Sequence, residues 1–161
     1  MTKNKVFNIN KLLDSKRPSI HSLGVKNCKL YLMKHIIDYR GSLSVGEFCD
    51  DLPFKPQRYF IIYGVPNQEL RGDHAHKKCD QFLVCVNGSC NVLLDDGSEK
   101  CQILLNSPAN GVYMPAGIWG SQFNYSKDAV LLVFASLPYD QNDYLRTYNE
   151  YKDYILKSKK L

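Results

Sequence analysis

The segment Arg71-Gly72-Asp73-His74-Ala75-His76-Lys77 carries the densest reactive chemistry of the chain. If it is extended, His74 and His76 stand at i and i+2 and face the same side of a sheet. Two imidazoles on one face can hold a metal or move protons, since histidine titrates near neutrality. Arg71 and Lys77 flank them. Cations beside buried imidazoles are expensive unless an anion joins them, so the segment calls for an anionic ligand such as a phosphate or diphosphate. Arg-Gly recurs at Arg40-Gly41. Two guanidinium forks, Arg40 and Arg71, suit the oxygen pairs of a diphosphate. For Arg40 a surface salt bridge is an equally good reading.

The elements that must position these residues read as short strands. Arg58 to Tyr63, Gln81 to Val86, Ser89 to Asp95, Cys101 to Leu105 and Ala129 to Ala135 are rich in Val, Ile, Leu, Phe and Tyr. Asn87-Gly88 and Asp96-Gly97 are dipeptides that tolerate the positive φ of tight hairpin turns. Asp38 to Leu43 opens a further strand, with Gly41 allowing close backbone approach. Cys28 to Met33 reads as a first strand and as an exposed edge that a partner sheet could cover. From Asp140 to Lys157, apolar residues at 144, 145, 148, 151 and 155 follow helical spacing. The expected fold is all-β, a jelly-roll barrel with a C-terminal α-helix. Residues 1–25 read as a polar lead-in and 26–161 as the barrel domain with its helix.

Composition sets outer limits. The 161 residues suffice for one domain, and 44% hydrophobic with 12% aromatic content excludes a disordered chain. Lys and Arg number 21 against 16 Asp and Glu, a net +5 carried partly by Lys157, Lys159 and Lys160, which is too mild for a nucleic-acid partner. No run of about 18 apolar residues is present, so no membrane span is expected. The first residues offer no signal-peptide core, and a cytoplasmic location is expected. The cysteines stand at 28, 49, 79, 85, 90 and 101 without a CxxC pair. In that compartment they read as reduced, partly buried thiols.

A metal site can be tested by spacing. Cupins are jelly-roll barrels, and their metal sites use His-x-His, a carboxylate about four or five residues on, and a late His. Here the carboxylate slot falls on Asp80 or Gln81. The late Pro-x-Gly-x-x-His motif reads Pro115-Ala116-Gly117-Ile118-Trp119-Gly120, with glycine where the third histidine would stand. Two histidines leave a first-row metal short of its usual three protein ligands. No metal is therefore expected, and proton transfer is the favoured reading.

The segments RGDHAHKKCDQFLVCVNGSCNVLLDDG, SPANGVYMP and AVLLVFASLPYDQNDYLRTY resemble the dTDP-sugar 3,4-ketoisomerases, cupin-fold enzymes of deoxyamino-sugar biosynthesis, over about residues 26–155. The resemblance implies conversion of dTDP-4-keto-6-deoxyglucose to the 3-keto isomer, feeding 3-amino sugars of bacterial surface glycans such as the O-antigen of lipopolysaccharide. It implies a homodimer with exchanged strands and no cofactor. It places His74 and His76 at the catalytic pair, Arg40 and Arg71 on the diphosphate, and Trp119 in the late barrel motif. Moving the ketone needs a base to take the C3 proton, an enediol, and an acid at C4. His74 is the favoured base, with the neighbouring arginines expected to disfavour imidazolium. Tyr63, Lys77 and Gln81 are candidates for the substrate mouth. The rival readings are a non-catalytic sugar-nucleotide-binding cupin and a metal-dependent cupin oxygenase.

Overall fold

A computed structural model of the chain describes residues 3–12, 15–48, 50–66 and 68–158, which leaves Cys49, Lys159 and Lys160 outside. The strands follow in chain order as β1 Lys3–Phe7, β2 Ser19–Ser22, β3 Lys29–Leu32, β4 Lys34–Asp38, β5 Gly41–Val45, β6 Arg58–Tyr63, β7 Arg71–His76, β8 Gln81–Asn87, β9 Cys90–Asp95, β10 Glu99–Leu105, β11 Asn110–Met114, β12 Trp119–Phe123, β13 Val130–Ala135 and β14 Tyr144–Leu145. Helix α1, Tyr148–Ser158, closes the chain. One six-stranded sheet runs β1-β10-β9-β12-β7-β14, the other β2-β3-β11-β8-β13-β6, and β4-β5 form a separate hairpin. The expected all-β barrel with a C-terminal helix is the fold found.

Alternation explains the layering. On β8 and β13 the residues Leu83, Cys85, Leu131 and Val133 enter the core between the sheets, while Phe82 and Val84 pack on the outer face beside Tyr31 and Met33. The Asn87-Gly88 and Asp96-Gly97 turns form as expected, with Gly88 at φ +63 and Gly97 at φ +85. Cys28, Cys79, Cys85, Cys90 and Cys101 are buried free thiols. No helix among the described residues is long and apolar enough to cross a membrane.

Three expectations are corrected. The strand at Cys28 to Met33 is not an edge, because β3 lies between β2 and β11 and its Leu30, Tyr31 and Leu32 are buried. Residues before 25 are not merely a lead-in, since β1 pairs in parallel with β10 and β2 pairs antiparallel with β3. The helical reading of 140–157 merges several elements. Asp140 caps a 3₁₀ turn at Gln141–Asp143, and β14 follows as a short strand. The α-helix starts only at Tyr148, because Thr147 and Glu150 form a capping box. The Thr147 hydroxyl accepts the Glu150 N–H at 3.2 Å, and the Glu150 carboxylate accepts the Thr147 N–H at 3.0 Å.

Helix α1 docks on the outside of the first sheet through its tyrosines. Tyr151 is buried with Ala75, Trp119, Leu145 and Ile155. Its hydroxyl donates to the Asp95 carbonyl at 2.7 Å, and the Tyr148 hydroxyl donates to the Asp95 carboxylate at 2.7 Å. The Trp119 ring is the floor of this cluster, 5.3 Å from Tyr148 and 5.6 Å from Tyr151. Trp119→Ala is expected to lower the unfolding free energy by about 3–5 kcal/mol through the cavity it leaves, as read from urea denaturation.

Candidate active site

The site is built by an irregularity in β7. Gly120 of β12 pairs with His74, but the next residue, Ser121, pairs with Gly72, leaving Asp73 as an extra residue. This bulge is held by its own side chain. Asp73 takes φ +55, and its carboxylate accepts from Trp119 Nε1 at 3.1 Å and from the Ser121 hydroxyl at 3.0 Å. A bulge shifts the phase of a strand by one residue. Arg71 therefore sits opposite Gln122, and Arg71 shares a cavity with His74 although the two are an odd number apart. Gly72, at φ +73, has no room for a side chain, since a Cβ there would meet the Gly120 carbonyl oxygen at 2.9 Å.

The cavity, about 550 Å³, opens between β6 and β7, with Arg71, His74, Gln81, Gln122 and Met114 among its lining. Phe60, Ile62, Leu83 and Val133 give it an apolar wall. His74 faces this space, and His76, buried at 3% exposure, stands behind it. Each ring is fixed through Nδ1. His74 Nδ1 donates to the Gly72 carbonyl at 2.9 Å, and His76 Nδ1 donates to Asp143 at 2.9 Å. The Nε2 atoms then face one another at 3.2 Å. Both Nε2 positions carry a lone pair when the rings are neutral, so a proton taken up by either can be held between them. The Gln81 amide lies 3.0 Å from His76 Nε2. Tyr144 of β14 covers both rings, its centroid 5.0 Å from His74 and 4.3 Å from His76.

The surroundings favour neutral imidazoles. Burial is the largest influence on His74 and pushes its pKa down from 6.5. The Gly72 carbonyl opposes this, Arg146 adds to it and Asp73 opposes it weakly. Burial also pushes His76 down, against the pull of Asp143 and with help from His74 and Arg58. The arginines that disfavour imidazolium are thus Arg146 and Arg58, not Arg40 or Arg71 as the sequence suggested. Burial works against the charge of Asp143. Its bonds from His76 and from the backbone N–H groups of Lys78 and Cys79 outweigh that, and hold the carboxyl below its usual range.

The other predicted site residues divide. Arg71 and Gln81 meet the histidines in the cavity. Tyr63 borders it, but belongs to the outward set of β6 and is 70% exposed. Trp119 does not reach the cavity. It is opposite Ala75, on the face away from His74, and packs under α1. Lys77 is spent on structure, donating to the Asn142 carbonyl at 2.7 Å. Arg40 lies in the turn between β4 and β5, exposed, and pairs with Asp38 at 2.6 Å, so within one chain the salt-bridge reading holds. Asp143, Tyr144 and Arg58 were missed by sequence reasoning. Asp143 and Tyr144 sit in the segment read as helix. The cluster of turn formers at Asp140-Gln141-Asn142-Asp143 was the available sign that the helix starts later.

The residues fit a cupin metal poorly. The glycine at the late ligand position is not a gap that a neighbour completes with a better ligand. A Cβ at Gly120 would meet Met114 Sδ at 2.6 Å, so a thioether fills the volume a third imidazole would use. His76, Cys79 and Asp143 bring ligand-type atoms within 4.8 Å of one another. Asp143 already accepts from His76, Lys78 and Cys79 there.

Residues 26–156 match the family described as FdtA: WxcM-like, C-terminal. The TDP-4-oxo-6-deoxy-α-D-glucose-3,4-oxoisomerase of Aneurinibacillus thermoaerophilus is 46% identical over 129 residues, 80% of this chain and 93% of that protein. Among solved structures, QdtA, a sugar 3,4-ketoisomerase from Thermoanaerobacterium thermosaccharolyticum in complex with TDP, superposes with a TM-score of 0.79 at 39% identity, covering 82% of this chain and 96% of that one. The WlaRB TDP-quinovose 3,4-ketoisomerase of Campylobacter jejuni gives 0.76 at 39% identity, over 80% of this chain and 99% of that one.

The electrostatics of the pair set a pH dependence of stability. Both folded pKa values lie below 6.5, so the unfolded chain binds more protons as the pH falls past that value. The pair contributes stability that is present above pH 6.5 and lost as the pH drops through the folded values. Thermal melts between about pH 7.5 and 5 are expected to show a falling Tm, and His76→Asn should flatten that dependence.

Proposed function

The chain belongs to the FdtA family of WxcM-like C-terminal domains, and from that premise we propose how its cavity works as a TDP-sugar 3,4-ketoisomerase. The enzyme moves the carbonyl of a TDP-linked 4-keto-6-deoxyhexose from C4 to C3. The observation that carries the mechanism is the pair of neutral imidazoles whose Nε2 atoms face each other at 3.2 Å on the cavity wall. His74, which reaches the cavity, takes the C3 proton on Nε2. His76, held by Asp143, shares that proton through its own Nε2 and so lowers the cost of holding it. The O3 proton passes to O4, the pair delivers a proton, exchangeable with water at the open cavity, to C4, and the ring network ends as it began. No net proton is gained or lost, as an isomerisation requires.

Arg71 stands at the exposed rim of the same cavity. There a guanidinium holds a solvated diphosphate while the sugar lies inward against His74 and Gln81. The 3-keto product is the acceptor an aminotransferase needs. That supports a role in making 3-amino-3,6-dideoxy sugars for surface glycans such as O-antigen, in the cytoplasm where nucleotide sugars are built.

We further propose a homodimer. The support is an apolar strip on the outer side of the second sheet and its hairpin. Tyr59, Ile61 and Tyr63 of β6 are exposed there, as are Ile36, Ile37 and Leu43 on β4 and β5. Phe48, beyond the hairpin, meets Phe134 of that sheet face edge to face, with ring centres 5.4 Å apart. A monomeric surface rarely leaves such a strip uncovered. Arg40 lies in the turn of this hairpin, where a partner's cavity could receive it.

Three measurements test this reading. In D₂O the wild type should exchange the C3 proton of TDP-4-keto-6-deoxyglucose. His74→Asn should slow that exchange by about 10²–10⁴ while binding TDP normally, and exchange at the wild-type rate would remove His74 from the chemistry. Arg71→Ala should instead weaken TDP binding in calorimetry by about 1.5–3 kcal/mol, the worth of a charge-assisted hydrogen bond. Light scattering at micromolar concentration should report twice the 18.5 kDa chain mass, and Ile61→Glu should return the monomer.

A further inference from the structure

Gln122 faces the cavity from β12, two positions on from Gly120. It pairs with Arg71 across the β7–β12 ladder, and Gly120 pairs with His74. Its amide lies across Gly72, where a Cβ would meet Oε1 at 2.7 Å and Nε2 at 2.8 Å. Nε2 also stands 3.7 Å from the place a Cβ would take at Gly120. Two glycines thus make the bed for this amide, on the stretch of cavity wall between Arg71 and His74. Gly72 supports both groups, the amide over its α-carbon and the His74 ring on its carbonyl.

The amide is nevertheless unpartnered. His76, Gln81, Asp95, Asn110, Ser121 and Asp143 are buried polar side chains too, and each is hydrogen-bonded. Gln122 is 5% exposed, yet among the described residues its side chain finds no hydrogen bond. It is not sealed in, because it lines the cavity and its amide atoms stay accessible there. Buried polar groups are nearly always paired, and one that opens only toward a binding cavity is paired by what binds. An amide offers an acceptor oxygen and two N–H donors, the complement of a hydroxyl that both donates and accepts. Being neutral, it is a weaker partner for a diphosphate than the guanidinium beside it.

The covalent order of the substrate says which hydroxyl this is. In a TDP-linked hexose the diphosphate is on C1, and the proton to be removed is on C3. With the diphosphate at Arg71 and C3 at His74, the ring atom between them is C2, whose polar substituent is the 2-hydroxyl. We propose that Gln122 is a specificity residue that hydrogen-bonds the sugar 2-hydroxyl, so that the cavity selects hexoses hydroxylated at C2 over 2-deoxy sugars. A site built to bond a hydroxyl rejects the analogue lacking it, because its own buried amide is then left unpaired. The same bond holds the carbon next to the reacting one and so aligns the C3–H bond with His74 Nε2.

The assignment rests on the ketoisomerase reading, and a comparison of two sugars separates the two. C3 exchange in D₂O is followed by NMR with TDP-4-keto-6-deoxyglucose and with its 2-deoxy analogue. In the wild type the 2-deoxy sugar should exchange with kcat/KM lower by about 10–10²-fold, the loss expected when a buried amide is left unpaired. Gln122→Met, similar in length but without the amide, should bring the two sugars to within about threefold of one another, and Gln122→Ala should do the same. A variant that merely folded poorly would lose both sugars alike and keep their ratio. TDP affinity in calorimetry should be unchanged in both variants. Equal kcat/KM for the two sugars in the wild type would overturn the assignment. So would a preference that survives in Gln122→Met, or a loss of TDP affinity there, which would put the amide on the diphosphate. A wild type that exchanges the C3 proton of neither sugar would instead sink the ketoisomerase reading, and the role of Gln122 with it.

Discussion

One extra residue in β7 decides what the barrel can do. A regular strand would put His74 and His76 on one face and Arg71 on the other. With Asp73 bulged out, Arg71 turns to the same cavity as His74. The bulge is not a slack point. Asp73 sits at φ +55, and the two donors on its carboxylate, Trp119 and Ser121, come from the neighbouring strand. Trp119 is in turn pinned beneath the tyrosines of α1. The helix, the tryptophan, the bulge and the placing of cation against base form one mechanical chain.

Much of this was legible in the amino-acid sequence, for identifiable reasons. Runs rich in Val, Ile, Leu, Phe and Tyr found β6, β8 and β13, and the i, i+2 spacing put His74 and His76 together. Gln81 was singled out by its distance after His-x-His. What stayed hidden depended on breaks in periodicity or on distant chain. The facing of Arg71 needs the bulge, and nothing in Arg71-Gly72-Asp73 alone announces its phase. Trp119 was assigned to the substrate through the late barrel motif that the resemblance implies, yet its side chain alternates outward from Gly120. Asp143 reaches His76 across 67 positions. The apolar spacing around it imitated a helix that the Thr147–Glu150 capping box starts only afterwards.

The cavity divides its work by depth. At the rim the exposed Arg71 remains hydrated and suits a charge that stays partly in water. Further in, Phe60, Ile62, Leu83 and Val133 form an apolar wall, and electrostatic contacts strengthen in such a setting. At the back, burial keeps the imidazoles neutral while Asp143 fixes which nitrogen carries hydrogen.

Met114 and Gly120 share one volume. The thioether occupies the space that any β-carbon at 120 would enter, with sulfur 2.6 Å from it. A methionine tip turns on soft torsions and repacks at little cost, so this stretch of the cavity wall is a movable plug, not a fixed surface. The size of the chamber beside His74 is therefore adjustable by a side-chain rotation, without any change in the strands that frame it.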